Sequence, residues 1–320
     1  MSRESYTRED AENFWPTRRF ALRSLAGASV LIASARTQAQ SGPAPVSAPV
    51  TAPTTASTTA SVDGVPIAYK VQGRGDVALV LVHGWACNAG YWREQVAPLA
   101  ERHTVVTLDL AGHGASGAGR SDWSIARYGD DVAAVIAAVQ PKRVVLIGHS
   151  MGGPVIVSAA GKMPPGIRLL GLVGVDTWKN VGLPPPPPAV RAAMTEAFTQ
   201  DFSGAMRRNV SERMFQKTSD PQLVQRIADQ MAAADPRVAV AMLGGLFQPD
   251  WEAGLARIRV PMVAINADLG GATDDARIKA QAATFRSVTL AGTGHFMMIE
   301  APQRFNAALL AELAMIQGAP

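Results

Sequence analysis

Leu146-Ile147-Gly148-His149-Ser150-Met151-Gly152-Gly153 is the stretch that decides the fold. Ahead of it, Lys142-Arg143-Val144-Val145-Leu146-Ile147 is a short apolar run rich in β-branched residues, the composition of a strand. Behind it, Pro154-Val155-Ile156-Val157-Ser158-Ala159-Ala160 continues as a helix. Residues 148–152 fit G-x-S-x-G in the strand–turn–helix setting that pattern requires. A serine on so tight a turn takes strained backbone angles, and the flanking glycines let strand and helix approach each other. Its hydroxyl then projects beyond the carboxyl edge of a sheet, above a helix N-terminus whose N–H groups favour developing negative charge.

Working outward, other apolar runs repeat the strand signal: Val77 to Val82, Thr104 to Leu108, Leu169 to Val175 and Pro261 to Ile265. Helix-like stretches such as Tyr128 to Val139 separate most of them, so the chain reads as a doubly wound α/β sheet. Ligands bind such sheets outside the carboxyl ends of the strands. The interval 177–254 breaks the alternation. After a polyproline run, Pro184 to Pro188, it carries four helical stretches near 189–199, 202–215, 221–233 and 236–247, with Met and Phe on their apolar faces. Its place between two strands, on the edge that carries Ser150, predicts a helical cap with an adaptable apolar underside.

Towards the N-terminus, residues 1–40 read as an export signal. Thr17-Arg18-Arg19-Phe20-Ala21-Leu22-Arg23 resembles a twin-arginine motif, an apolar segment follows, and Ala33-Ser34-Ala35 offers a cleavage site. A periplasmic or secreted enzyme is the corresponding expectation. Residues 41–61 are almost wholly Pro, Ala, Ser and Thr and read as a disordered linker. The folded core is then 62–176 and 255–320.

Composition narrows the function. The 320 residues carry a net charge of +4 with no basic stripe interleaved with aromatics, so nucleic-acid binding has no support. One cysteine, Cys87, excludes an internal disulfide and thiolate metal sites. No apolar run is long enough for an ordinary membrane span. The expected partner is a small molecule, with no cofactor and no metal.

A serine nucleophile needs a base, and the base needs an orienting acid. Of the five histidines, His149 lies inside the turn and points away from Ser150, His103 precedes a strand at the surface, and His83 and His113 belong to other loop motifs. His295 remains. It follows Gly292-Thr293-Gly294, a run that lets a loop carry an imidazole over the sheet edge. Cys87 lacks the tight turn a nucleophile needs and reads as a packed small residue.

Four motifs occur in order: His83-Gly84-Trp85, Asp109-Leu110-Ala111-Gly112-His113-Gly114-Ala115-Ser116, Gly148 to Gly153, and Gly294-His295-Phe296 through Glu300-Ala301-Pro302. With them, the chain from 62 to about 316 resembles the α/β-hydrolase superfamily, in its capped branch of esterases, lactonases and carbon–carbon bond hydrolases. The resemblance implies an eight-stranded, mostly parallel sheet with the cap inserted after strand 6. It also implies an oxyanion hole formed by the backbone N–H groups of Trp85 and Met151. The acid departs from the pattern. Most relatives place it after strand 7 in a Gly-x-x-Asp turn, but Gly270 occupies that position here and Asp268 comes two residues early. The other location, after strand 6 as in haloalkane dehalogenases, holds Asp176. Asp176 is the first choice and Asp268 the second. His83, Trp178 and Met298 are the candidate pocket residues; Trp85, Tyr91 and Trp92 are further candidates for the acyl or alcohol pocket, with plain packing the other reading of Tyr91, Trp92 and Trp178. The implied activity is hydrolysis of small to medium apolar carboxylic esters through an acyl-enzyme. Lactonase, carbon–carbon hydrolase and perhydrolase activities use the same triad, and a non-catalytic ligand binder of the same fold is the reading outside enzymology.

Overall fold

The computed structural model describes residues 54–246 and 249–318. The twin-arginine-like segment and linker residues 41–53 lie outside the described residues. The core is one eight-stranded sheet: β1 (Thr54–Ala60), β2 (Pro66–Gln72), β3 (Val77–Val82), β4 (Thr104–Leu108), β5 (Arg143–His149), β6 (Arg168–Val175), β7 (Met262–Ala267) and β8 (Phe285–Leu290). Their spatial order is β1-β2-β4-β3-β5-β6-β7-β8. β1 and β2 run antiparallel to each other and β2 antiparallel to β4; the remaining neighbours are parallel. This is the mostly parallel eight-stranded α/β-hydrolase sheet that the motifs imply.

The central strands are buried along their length because helices cover both faces. Every residue of β3 and β7 is buried. The core helices are α1 (Arg93–Ala100), α2 (Ile125–Val139), α3 (Gly152–Ala160), a short α8 (Asp275–Lys279), α9 (Met297–Glu300) and α10 (Pro302–Gln317). Ser124 caps α2 by accepting the Arg127 N–H, and Gln140 closes that helix in the left-handed conformation.

Between β6 and β7 lie α4 (Pro188–Gln200), α5 (Phe202–Arg213), α6 (Pro221–Ala232) and α7 (Pro236–Leu246). Two of these starts are chemically explicit: Pro188 and Pro221 sit in the first turn, where a missing N–H costs nothing. Phe198, Phe202, Met206, Met231 and Met242 on these helices are buried.

One boundary needs correction. Residues 54–60 are not linker: they pair antiparallel with β2 from Thr54 opposite Gln72 to Ala60 opposite Pro66. Ser61 is buried, and its hydroxyl donates to Asp131 Oδ1 at 2.6 Å. The folded unit therefore starts before residue 62. The physical reason is that an edge strand is held by its backbone ladder and needs no bulky side chains. His103 is also not at the surface; it is 8% exposed, donating from Nδ1 to the Leu99 carbonyl and meeting Gln317 through Nε2.

Candidate active site

The strand β5 ends at His149, and α3 begins at Gly152, so Ser150 occupies the crossing. Its φ is +52°, a left-handed value that costs a non-glycine residue about 1–3 kcal/mol. The crossing is possible only with glycine on either side. A Cβ at Gly148 would stand 2.2 Å from the Gly152 carbonyl oxygen, and one at Gly152 would stand 2.6 Å from that of Val82. The strained turn is pinned from β6: Ser150 N–H donates to the Val175 carbonyl at 2.9 Å, and the Thr177 hydroxyl donates to the Ser150 carbonyl at 2.8 Å.

Positive φ is concentrated at this edge. Among the described residues, four of the five non-glycine cases, Ala86, Ser150, Asp176 and Trp178, lie on the loops after β3, β5 and β6. The fifth, Gln140, is the helix end already described. Such strain persists only where surrounding contacts over-determine the backbone, and it clusters at functional sites.

The structure brings His295 and Asp176 together. His295 Nδ1–H donates to Asp176 Oδ2 at 2.6 Å, across 119 residues of chain. That bond fixes the tautomer and leaves Nε2 as the basic nitrogen. The loop is held from two more directions: His295 N–H donates to the Met214 carbonyl at 2.7 Å, and His149 Nε2–H donates to the His295 carbonyl at 2.9 Å. Asp176 is ordered in turn. Its Oδ1 accepts the Ala267 N–H at 3.0 Å and lies 3.0 Å from Lys179 Nζ. Burial pushes the Asp176 carboxyl up, but the His295 hydrogen bond and the Lys179 ammonium outweigh it and hold the group below the usual carboxylate range.

Ser150 and His295 line one cavity of about 30 Å³, with Gly84, Trp85, Cys87, His149, Met214, Met231 and Phe296. Two of those residues, Met214 and Met231, come from the segment inserted between β6 and β7. Glycine at 84 suits the close approach: a Cβ would meet His149 Nδ1 at 3.0 Å and the Ser150 Cβ at 3.2 Å. Trp85 also ties the insertion down, its indole N–H donating to the Ala239 carbonyl at 2.9 Å. Cys87 is fully buried, its Sγ on the Trp85 carbonyl, and burial pushes its thiol far up, so no thiolate is available at neutral pH.

Asp268 does not reach the imidazole-acid pair. It is exposed, and its Oδ1 accepts from Gly292 N–H at 2.9 Å and from the Gln216 side chain at 3.1 Å. It braces the loop that carries His295 from outside.

Three expected pocket residues are corrected, because none lines the cavity beside Ser150. His83 is fully buried below it. Its Nε2 accepts the Leu110 N–H at 3.0 Å, so Nδ1 carries the proton and donates to the Gly84 carbonyl at 2.8 Å. Trp178 turns down with its positive φ, its ring against Gly174 and edge-on to Phe285. Met298 is buried in α9, where its carbonyl accepts from Gln95. Lys179 gave no signal in sequence, since its partners lie on two different loops. The Asp109 segment is structural: Asp109 accepts from the N–H groups of Ala89 and Ala115.

A shallower cleft of about 400 Å³ lies elsewhere, lined by Asp63, Arg120, Asp122 and Arg127 among others. It holds neither Ser150 nor His295, and the Arg120 guanidinium is already paired with Asp131 and Asp63.

Comparison with known proteins agrees with the fold. A profile of the Alpha/beta hydrolase family matches residues 79–308. An uncharacterized protein of Mycobacterium tuberculosis is 37% identical over 112 residues, a stretch spanning 35% of this chain and only 33% of that one. A pimeloyl-(acyl-carrier protein) methyl ester esterase of Yersinia enterocolitica is 26% identical over 253 residues, 74% of this chain and 93% of its own length. Among solved structures, a thermophilic esterase from Thermogutta terrifontis superposes with a TM-score of 0.70 at 22% identity, covering 82% of this chain and 99% of that one. Among the described residues no helix is long and apolar enough to cross a membrane.

Proposed function

This chain belongs to the Alpha/beta hydrolase family, and from that premise we propose that it is a serine hydrolase that cleaves carboxylic esters through an acyl-enzyme. The carrying observation is the Asp176–His295 bond at 2.6 Å, made by an imidazole that shares a cavity with Ser150. In this reading His295 Nε2 takes the Ser150 proton as Oγ attacks the ester carbonyl. The tetrahedral oxyanion is held by the N–H groups of Trp85 and Met151, at the N-terminal end of α3 where backbone donors favour negative charge. His295 returns the proton to the leaving alcohol. It then deprotonates a water that attacks the acyl carbonyl, and the acid leaves as Ser150 regains its proton. Asp176 stays ionised throughout and stabilises the imidazolium.

The insertion between β6 and β7 acts as a cap in this reading. Its Met214 and Met231 meet Trp85, Cys87 and Phe296 around the cavity, which favours apolar acyl or alcohol groups. The cavity is small, about 30 Å³, and in this reading a bulky ester enters as the cap shifts. The esterase relative from Yersinia enterocolitica supports ester cleavage. Residues 1–40 we read as an export signal, which N-terminal sequencing of the protein recovered from its native cell tests.

The test of the activity is covalent. A fluorophosphonate probe is expected to label the protein and to fail on Ser150→Ala. Parallel panels of p-nitrophenyl esters and of lactones then define the bond cleaved. An unlabelled, correctly folded wild type would leave a non-catalytic binder as the better reading.

A further inference from the structure

Lys179 lies three residues after Asp176 and is directed back at it. Its Nζ is 3.0 Å from Asp176 Oδ1, donates to the Ala267 carbonyl at 2.7 Å and donates to the Leu269 carbonyl at 2.8 Å. An ammonium has three protons, and these three oxygens accept them. The side chain is only 20% exposed and the Asp176 side chain only 9%, so solvent screens the pair poorly. The two carbonyls belong to the end of β7 and the turn beyond it, the place where Gly270 stands instead of an acid. A carboxylate there would compete for this ammonium. With glycine there, Asp176 is the carboxylate that the ammonium meets.

We propose that Lys179 is a positioning and charge-tuning residue of this site: its ammonium shares the Asp176 carboxylate with His295 and so lowers the pH at which the Asp176–His295 pair takes up a proton and activity is lost. This rests on the serine-hydrolase reading above. Oδ2 faces the imidazole and Oδ1 faces the ammonium, so one carboxylate orients both. A cation a few ångströms from the pair disfavours adding a second positive charge to it. The other charged or titratable groups around the pair do not duplicate this. His149, at the end of β5, has its ring 4.7 Å from that of His295 and is held at about 3 by burial, hence neutral. Arg277, on α8, donates to the Lys179 carbonyl at 2.6 Å and steadies the backbone. Asp268, on the β7 turn, and Glu300, on α9, accept from the Gly292 and Gly294 N–H groups of the His295 loop.

The experiment is the pH profile of kcat/KM on a p-nitrophenyl ester, normalised to its plateau, for wild type and Lys179→Met. The acidic limb is expected to move up by about one pH unit. Lys179→Cys, alkylated with bromoethylamine, restores an ammonium of nearly the same reach and is expected to bring the limb back; buried Cys87 is spared. A uniform loss of kcat with an unmoved limb would make Lys179 a tether only, and a shift that aminoethylation does not reverse would equally overturn the proposal. Should Lys179→Met fail to fold, Lys179→Gln, which still donates to the turn carbonyls, carries the same test. Failure here leaves fluorophosphonate labelling of wild-type Ser150 intact, whereas failure of the hydrolase reading abolishes it.

Discussion

Asp176 and Asp268 show how two carboxylates near one loop take different work. Both touch the machinery of His295, but Asp176 bonds the ring and Asp268 bonds the backbone at Gly292. In the proposed mechanism, losing the first releases the imidazole tautomer, and losing the second only loosens a loop. Asp176→Asn is therefore expected to lower kcat by about 10³- to 10⁴-fold and Asp268→Asn by about tenfold or less. Steady-state kinetics on one ester decides between them, and comparable losses in both variants would refute the assignment. The pairing was legible in part. The resemblance, with Gly270 where most relatives carry the acid, pointed to the end of β6, but spacing alone left Asp268 open, because it cannot say whether a side chain faces into the edge or out of it. The same blindness to direction misplaced His83, Trp178 and Met298. All three are near the site in sequence, and all three side chains are committed to packing or backbone bonds beneath it.

The elements with strong apolar patterns were readable, and β1 was not. Its sequence, Thr-Thr-Ala-Ser-Thr-Thr-Ala, has almost no side chain to bury, and most of its residues are exposed. What orders it is the seven-residue ladder to β2 and the buried Ser61 hydroxyl on Asp131. Composition records side-chain hydrophobicity and is silent about backbone pairing, so an edge strand of this kind reads as coil. A chain starting at Val62 leaves the β2 edge bare and removes one partner of a fully buried carboxylate. It is expected to unfold several degrees below a chain starting at Thr54, on the order of 2–3 kcal/mol less stable. Thermal melts of the two truncations measure this; equal midpoints would return 54–61 to linker. The four helices between β6 and β7 were legible for the opposite reason, since Met and Phe recur at helical spacing. Their attachment was not: the bonds from Trp85 to Ala239 and from His295 to Met214 join backbone groups and loops distant in sequence.

Across the whole molecule, the sheet edge is built on neutral histidines. His83, His113 and His149 are all at most 6% exposed, with His83 and His113 rings 4.9 Å apart. Burial depresses each of them: His83 well below its ordinary value, His113 below it, and His149 to about 3. A lowered histidine binds fewer protons folded than unfolded. Stability from this source is thus complete above the unfolded value near 6.5 and declines as pH falls from there towards the folded values, about 3 for His149. Three such groups set an upper slope of about 4 kcal/mol per pH unit once all are protonated in the unfolded chain. Asp131, whose carboxyl is raised by burial despite Arg120, acts in the opposite sense. Asp176, held low, adds to the acid loss only below the usual carboxylate value. Three lowered histidines outnumber the one raised carboxyl, and the urea midpoint is expected to fall between pH 7 and 5. His113→Asn, which removes one of the three while leaving Ser150, His295 and Asp176 in place, is expected to flatten the slope by about one proton. A midpoint that stays constant from pH 7 to 5 in wild type would mean that water reaches these rings in the folded state, and with it the dry edge on which the Asp176–His295 pair depends.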